Sequence, residues 1–319
     1  MKENLPQSLF SNRSTEAIKY VQRPLYERKP IAYAETWFDA YIPNKTFYFS
    51  HEQRAELYAA GKRETMEDPA GTYAHKIFNR LLIDLSFNSS RLEGNTYSLL
   101  DTERLVLEGK IAEDKPETEK IMILNHKDAI RYLVDNAPHL KINKETICTL
   151  HFLLSESLVE FEHAGKIREH GVRIGGSTYL PYDNLQKLRS QFGRIIEKAV
   201  LIEDSYEQSL FLLIHITYLQ AFVDVNKRTA RLSANIPLIT KNLVPLSFND
   251  IPKEEYMSAV IAIYELQDVH PIIDMYRFSY FRTCHPYNAD YSKYTQKLEN
   301  FFINLYAAPK ELHVRSLLF

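Results

Sequence analysis

Apolar residues recur at helical spacing along most of this chain. Ile77, Leu81, Leu82, Ile83, Leu85 and Leu92 predict a helix over residues 74–93, with Gly94 placed to stop it. Ile121, Ile123, Leu124, Ala129, Ile130 and Leu133 predict another over 118–136. Further helices are expected at 51–57 with Ser50 as N-cap, and at 98–107, 144–158, 185–202 and 206–219. One more opens near Lys227 and meets Pro237, and later ones cover 253–265, 272–283 and 291–306. Leu210 to Leu219 is apolar nearly all round, which places that helix at the centre of the fold. The one strand pattern runs from Gly171 to Leu180. There Val172/Ile174 and Thr178/Leu180 flank a Gly175-Gly176-Ser177 turn, the signature of a short hairpin. Residues 1–50 mix Pro6, Pro24, Pro30 and Pro43 with Tyr33, Trp37 and Tyr41, and are expected as an extended arm packed on the body.

Composition sharpens this picture. Nine glycines in 319 residues, the last at Gly193, leave few positions for tight hairpins, so all-β and Rossmann architectures are disfavoured. A formal charge of −2 argues against a dedicated nucleic-acid binder. Cys148 and Cys284 cannot form a disulfide framework or a Cys-rich zinc site, which fits a reduced, cytoplasmic setting. The N-terminus shows no apolar signal region, and 211–219 is too short to span a bilayer.

The densest polar cluster is Asp224-Val225-Asn226-Lys227-Arg228-Thr229-Ala230-Arg231, directly after the central helix. It puts cations at the positive end of the next helix, where first turns normally favour Asp and Glu. An anion resolves the conflict: backbone N–H groups with Lys227, Arg228 and Arg231 make a phosphate cradle. Asp224 is then placed to hold Mg2+ between phosphates. The plainer alternative is a solvated helix start with incidental ion pairs. Far away, Glu93 falls at the negative end of its helix and calls for a cationic partner.

Residues 220–231, Gln-Ala-Phe-Val-Asp-Val-Asn-Lys-Arg-Thr-Ala-Arg, resemble the Fic/Doc family signature His-Pro-Phe-x-Asp/Glu-Gly-Asn-Gly/Lys-Arg-x-x-Arg. Ser89-Ser90-Arg91-Leu92-Glu93-Gly94 resembles that family's inhibitory motif, and the Gly-Gly segment falls where the family has its target-docking flap. The resemblance spans about residues 75–285. It implies a mainly α Fic-fold helical bundle with one short β-hairpin flap. The expected organisation is an N-terminal arm and short helices packed on the core over 1–73, a Fic domain over 74–286 including the inhibitory helix 74–93, and a C-terminal helical extension over 287–319.

The resemblance also implies function. The chain would bind ATP and Mg2+ and transfer AMP, or phosphate as in the Doc-like members that carry Lys at the Lys227 position, to a Tyr, Thr or Ser hydroxyl of a target protein. Asp224 would ligate Mg2+; Asn226, Lys227, Arg228 and Arg231 would hold phosphates. Glu93, supported by Ser89, would compete for Arg231. Val172, Ile174, Gly175, Gly176 and Tyr179 would form the flap.

Two departures count against full activity. The catalytic histidine position holds Gln220, whose amide takes no proton near neutral pH, a loss of about 10²–10⁴-fold. Val225 replaces a glycine, and a β-branched residue resists positive φ. His215 lies five residues upstream on a different face, where a core histidine is expected. The expectation is an autoinhibited nucleotidyltransferase with weakened or altered chemistry. Its alternatives are a catalytically dead nucleotide-responsive or protein-binding module, removal of AMP from a target, and a DNA-binding regulator. Of these, AMP removal lacks its histidine, and the tail leaves no room for a winged helix. A homodimer is a reasonable assembly.

Overall fold

The computed structural model describes residues 9–288. Its helices are α1 (Asn12–Val21), α2 (Glu35–Ala40), α3 (His51–Gly61), α4 (Thr72–Lys76), α5 (Phe78–Leu92), α6 (Leu99–Glu103) and α7 (Glu117–Asp135). There follow α8 (Lys144–Ser155), α9 (Leu185–Leu201), α10 (Ser205–Leu219), α11 (Asn226–Ser233), α12 (Ile236–Thr240), α13 (Lys253–Leu266) and α14 (His270–Asn288). Strands β1 (Ile31–Ala32) and β2 (Tyr179–Leu180) complete the fold. The architecture is mainly helical, as the periodicity predicts.

The helices start where side chains satisfy their free N–H groups. Ser50 and Gln53 form a reciprocal capping box on α3. Asn143 accepts from Thr146 N–H, Asn184 from Lys187 N–H, and Asp204 from both Tyr206 and Glu207 N–H. Helix α10 is the central element: every residue from Ser209 to Leu219 is buried, and α9, α11, α12 and α13 pack around it. Burying each large apolar side chain there stabilises the fold by about 1.5–3 kcal/mol.

Three expectations need correction. Residues 74–93 are not one helix: Ile77, at φ −106° and ψ 15°, separates α4 from α5. Gly94 does end α5 with φ +100°. The hairpin over 171–180 does not form. Only its second half becomes a strand, and β2 pairs in parallel with β1 of the N-terminal arm, Ile31 opposite Tyr179 and Ala32 opposite Leu180. The arm itself is more structured than its prolines imply, carrying α1, β1 and α2, with Phe38, Tyr41 and Phe49 buried in the core. The helix expected at 291–306, and nearly all of the extension over 287–319, lie outside the described residues.

Buried polar groups fasten the arm to α10. The Glu207 carboxylate, itself fully buried, accepts from Tyr41 OH at 3.0 Å, Tyr48 N–H at 2.7 Å and Phe49 N–H at 3.1 Å. His215 sits one face round, among the rings of Trp37, Phe38 and Phe211, with Nε2 2.7 Å from Tyr48 OH. It is the core histidine that its position predicts. Burial, with a smaller effect from Lys198, pushes its pKa down to about 3.

A depressed histidine pKa stabilises the fold fully above the unfolded value near 6.5, and that contribution is lost as pH falls from there toward about 3. His215→Phe is therefore expected to flatten the decline in stability between pH 6.5 and 5, by up to about 1.4 kcal/mol per pH unit. Urea unfolding across that range measures it; parallel profiles for the two proteins contradict it.

Candidate functional site

The polar cluster lies in the corner between α10 and α11. Gln220 ends α10 in the left-handed region at φ +54°, and Val225 opens α11 at φ +63°. Val225 thus adopts the conformation its β-branch disfavours, at a cost of order 1–3 kcal/mol that the surroundings must offset. Several buried groups do so. Arg168 donates from Nε to Gln220 O at 2.8 Å, from Nη1 to His170 O at 2.6 Å and from Nη2 to Tyr182 O at 2.5 Å. His151 stacks on Phe222 with centroids 3.9 Å apart, donates from Nε2 to Asp224 O and accepts Gly165 N–H at Nδ1. Those partners fix its neutral tautomer, and burial holds its pKa at about 4.

Asn226 lines the cavity and bonds within its own corner. Its Oδ1 accepts Phe222 N–H and its Nδ2 donates to Phe222 O, both at 2.9 Å. The amide closes the corner on itself. Asp224 is exposed, and its Oδ1 accepts Val225 N–H at 2.6 Å.

The end of α5 meets this corner. Arg231 donates from Nη2 to Glu93 Oε1 at 2.7 Å, and Lys227 Nζ lies 3.3 Å from Glu93 Oε2. Arg231 also donates from Nε to Ser89 Oγ at 2.9 Å, from Nη2 to Ser89 O at 3.0 Å and from Nη1 to Tyr256 OH at 2.8 Å. Ser89 Oγ in turn lies 2.8 Å from His126 Nε2, while His126 Nδ1 lies 2.8 Å from Met122 O. A carbonyl only accepts, so Nδ1 carries the proton and Ser89 donates to Nε2. Burial, its largest influence, depresses the His126 pKa to about 3, so the ring stays neutral. Burial alone raises the Glu93 carboxyl, but the charges of Arg231, Lys227 and Arg228 outweigh it and hold the pKa at about 2. Glu93 therefore has the cationic partners its helix-end position demands.

Glu93, Lys227 and Arg228 line a cavity of about 160 Å³ with Gln220, Asp224, Val225, Asn226 and Tyr264. Val172, Arg173, Ile174 and Gly175 line it as well. Of the other two flap candidates, Gly176 is exposed and its O accepts from Arg28, and Tyr179 is buried, donating its OH to Tyr218 O. Arg228 is buried, its Nη2 is 4.0 Å from Asp224 Oδ2, and its Nη1 has no hydrogen-bond partner among the described residues. Gln220 Nε2 donates to Thr217 O and Tyr264 OH, both at 2.8 Å. Because the Thr217 carbonyl requires a donor, the amide orientation is set and Oε1 is the free acceptor. Arg168, His126, His151, Tyr256 and Tyr264 support this site from distant elements, and no local sequence pattern marks them.

Residues 141–238 match the model of the Fic/DOC family. The proteins named protein adenylyltransferase fic-1 from Caenorhabditis briggsae and Caenorhabditis elegans are each 24% identical over 191 residues, which is 59% of this chain and 37% of theirs. The chain thus spans little more than a third of the length of these curated relatives. Among solved structures, Fic-1 of Caenorhabditis elegans shares the fold with a TM-score of 0.55 at 19% identity, covering 74% of this chain and 68% of that one. A Fic domain containing signaling protein from Bacteroides thetaiotaomicron gives 0.58 at 15% identity, over 73% of this chain and 94% of that one. The chain carries a Fic/DOC family domain.

The ion pair sets an acid limit. A carboxyl held at about 2 stabilises fully above its ordinary value of 4.5 and loses that contribution as pH falls toward 2. Glu93→Gln is expected to lower stability at pH 7 by about 1.5–3 kcal/mol and to flatten the decline between pH 4.5 and 3. Chemical unfolding followed against pH checks both; equal stability at pH 7 with an unchanged acid slope contradicts them.

Proposed function

We propose that this chain binds Mg·ATP in the corner between α10 and α11 and transfers AMP, or in a Doc-like manner phosphate, to a hydroxyl of a target protein. Glu93 holds the site in an inhibited state. The observation that carries the reading is Arg228: a buried guanidinium with an unpartnered nitrogen, beside two further cations and a helix N-terminus, is a site built for an anion. Glu93 is the anion that Arg231 and Lys227 hold in the absence of nucleotide. The cavity is below the roughly 300–1,000 Å³ of ordinary ligand pockets, and because Glu93 lines it, displacing the carboxylate would enlarge it.

Asp224 suits Mg2+, which commonly takes one or two carboxylates and completes its shell with phosphate oxygens. A bound Mg2+ would neutralise charge on the phosphates. Lys227, Arg228 and Arg231 would orient them. The Gln220 Oε1 would accept a hydrogen bond from the target hydroxyl without keeping the proton, which passes to solvent. In AMP transfer the hydroxyl oxygen bonds to the α-phosphorus and pyrophosphate leaves; in phosphate transfer it bonds to the γ-phosphorus and ADP leaves. Positioning and electrostatics provide most of such catalysis, so rate is lost without being abolished. The one observation that favours a catalytically dead, nucleotide-responsive module is the same Gln220, since no histidine lines the cavity.

Calorimetry with Mg·ATP on the wild type and on Glu93→Gly tests the binding reading. Glu93→Gly is expected to bind at least about tenfold more tightly, a difference of about 1.4 kcal/mol. No binding in either form contradicts the proposal. ATP labelled at the α- or γ-phosphate then separates AMP from phosphate transfer. Gln220→His in the Glu93→Gly background is expected to raise transfer by about 10²–10⁴-fold. Equal rates with and without the histidine contradict the assignment of Gln220 to the base position.

A further inference from the structure

The part of the cavity lined by residues 172–175 is held by a segment far in sequence from the matched domain. Arg28, in the arm just before β1, donates from Nη1 to Glu265 Oε1 at 2.9 Å and from Nη2 to Gly176 O at 2.8 Å. Both side chains of this pair are almost fully buried, 4% and 0% exposed. The same Glu265 oxygen accepts Ser177 Oγ at 2.8 Å and Thr178 N–H at 2.9 Å. Thr178 Oγ1 donates to Lys29 O, Ile31 N–H to Thr178 O, and Tyr33 N–H to Leu180 O. Residues 176–178 and 180 are thus bonded to the arm or to α13, and Tyr179 to α10.

Ile174 packs against the core, whereas the two glycines after it stand in open space. A Cβ built on Gly175 or Gly176 would meet nothing within 4 Å. At the glycines the turn is held by polar contacts: the local bond from Ser177 N–H to Ile174 O and the bonds to Arg28 and Glu265. Ile174 and Gly175, which line the cavity, are the residues immediately before them.

We infer that Arg28 is a positioning residue: clamped to Glu265, it presets the Ile174–Thr178 wall, so that arm residues 28–34 are part of the nucleotide site. This rests on the nucleotide-binding reading only for its effect on affinity; the clamp itself is independent of it. The arm also closes one edge of β2, leaving that edge unavailable to another strand.

Two arms of one experiment test the inference. Hydrogen exchange is followed at the amides of 174–180 in the full chain, with Arg28→Met and with the milder Arg28→Lys, which keeps a charge facing Glu265 but loses the two-pronged contact. Exchange at Thr178 is expected to rise by about tenfold or more in Arg28→Met and less in Arg28→Lys, while α10 amides stay protected in both. Should Arg28→Met fail to fold, the lysine variant provides the reading. Unchanged exchange over 174–180 in a folded variant overturns the clamp. In the second arm, Mg·ATP affinity is measured in Glu93→Gly with and without Arg28→Lys. A weakening of about 3–10-fold is expected. Faster exchange at unchanged affinity overturns the link between clamp and site. If Glu93→Gly binds no Mg·ATP at all, the nucleotide reading fails, and the exchange arm alone decides the clamp.

Discussion

A carboxylate pressed between two cations organises this molecule's polar interior. Glu93 leaves α5 at its negative end, where it is unfavourable unless paired, and reaches Arg231 and Lys227 on α11. Arg231 is fully buried, so its charge requires compensation wherever it comes from. Ser89 and Tyr256 share its donors, and His126 holds Ser89 from behind on α7. Two elements, α5 and α13, therefore converge on one guanidinium of α11, with α7 behind them. Removing the carboxylate, which itself lines the cavity, leaves a buried guanidinium without its counter-charge, which is the physical basis for expecting a phosphate to take its place.

The corner that presents these cations is strained and held from outside. Gln220 and Val225 both sit at positive φ without being glycine. Arg168, His151 and Asn226 bond the backbone between and beside them, so the geometry is over-determined by buried contacts. That explains how a valine occupies a position where the family signature has glycine. Strain retained at such a place fits a loop whose backbone N–H groups have work to do. The Ile174–Thr178 wall, bonded to the arm through Arg28 and Glu265, gives the cavity a second preset side.

Much of this was legible in the order of residues. The 3.6-residue period located most helices, and the continuous apolar run placed α10 at the centre. A helix-end carboxylate without a local partner and a first turn rich in cations were each anomalous alone, and together they mark the pair that the structure brings into contact. What stayed hidden depended on distance. The break at Ile77 has no glycine or proline to announce it. Two-residue strands carry no periodicity, so nothing indicated that Ile31–Ala32 would pair with Tyr179–Leu180 in place of a local hairpin. The pins of the corner, Arg168, His126 and His151, are isolated polar residues on helices and loops remote from it. That the Asn226 amide also bonds Phe222 was not legible either.

The central claim is that Glu93 and a polyphosphate compete for the same guanidinium. Side-chain NMR of the arginine Nε–Hε groups reads this directly. On adding inorganic triphosphate, the Arg231 signal is expected to stay in place in the wild type and to shift in Glu93→Gly, with Arg228 shifting alongside it. An Arg231 signal that moves equally in both proteins, or in neither, contradicts the account.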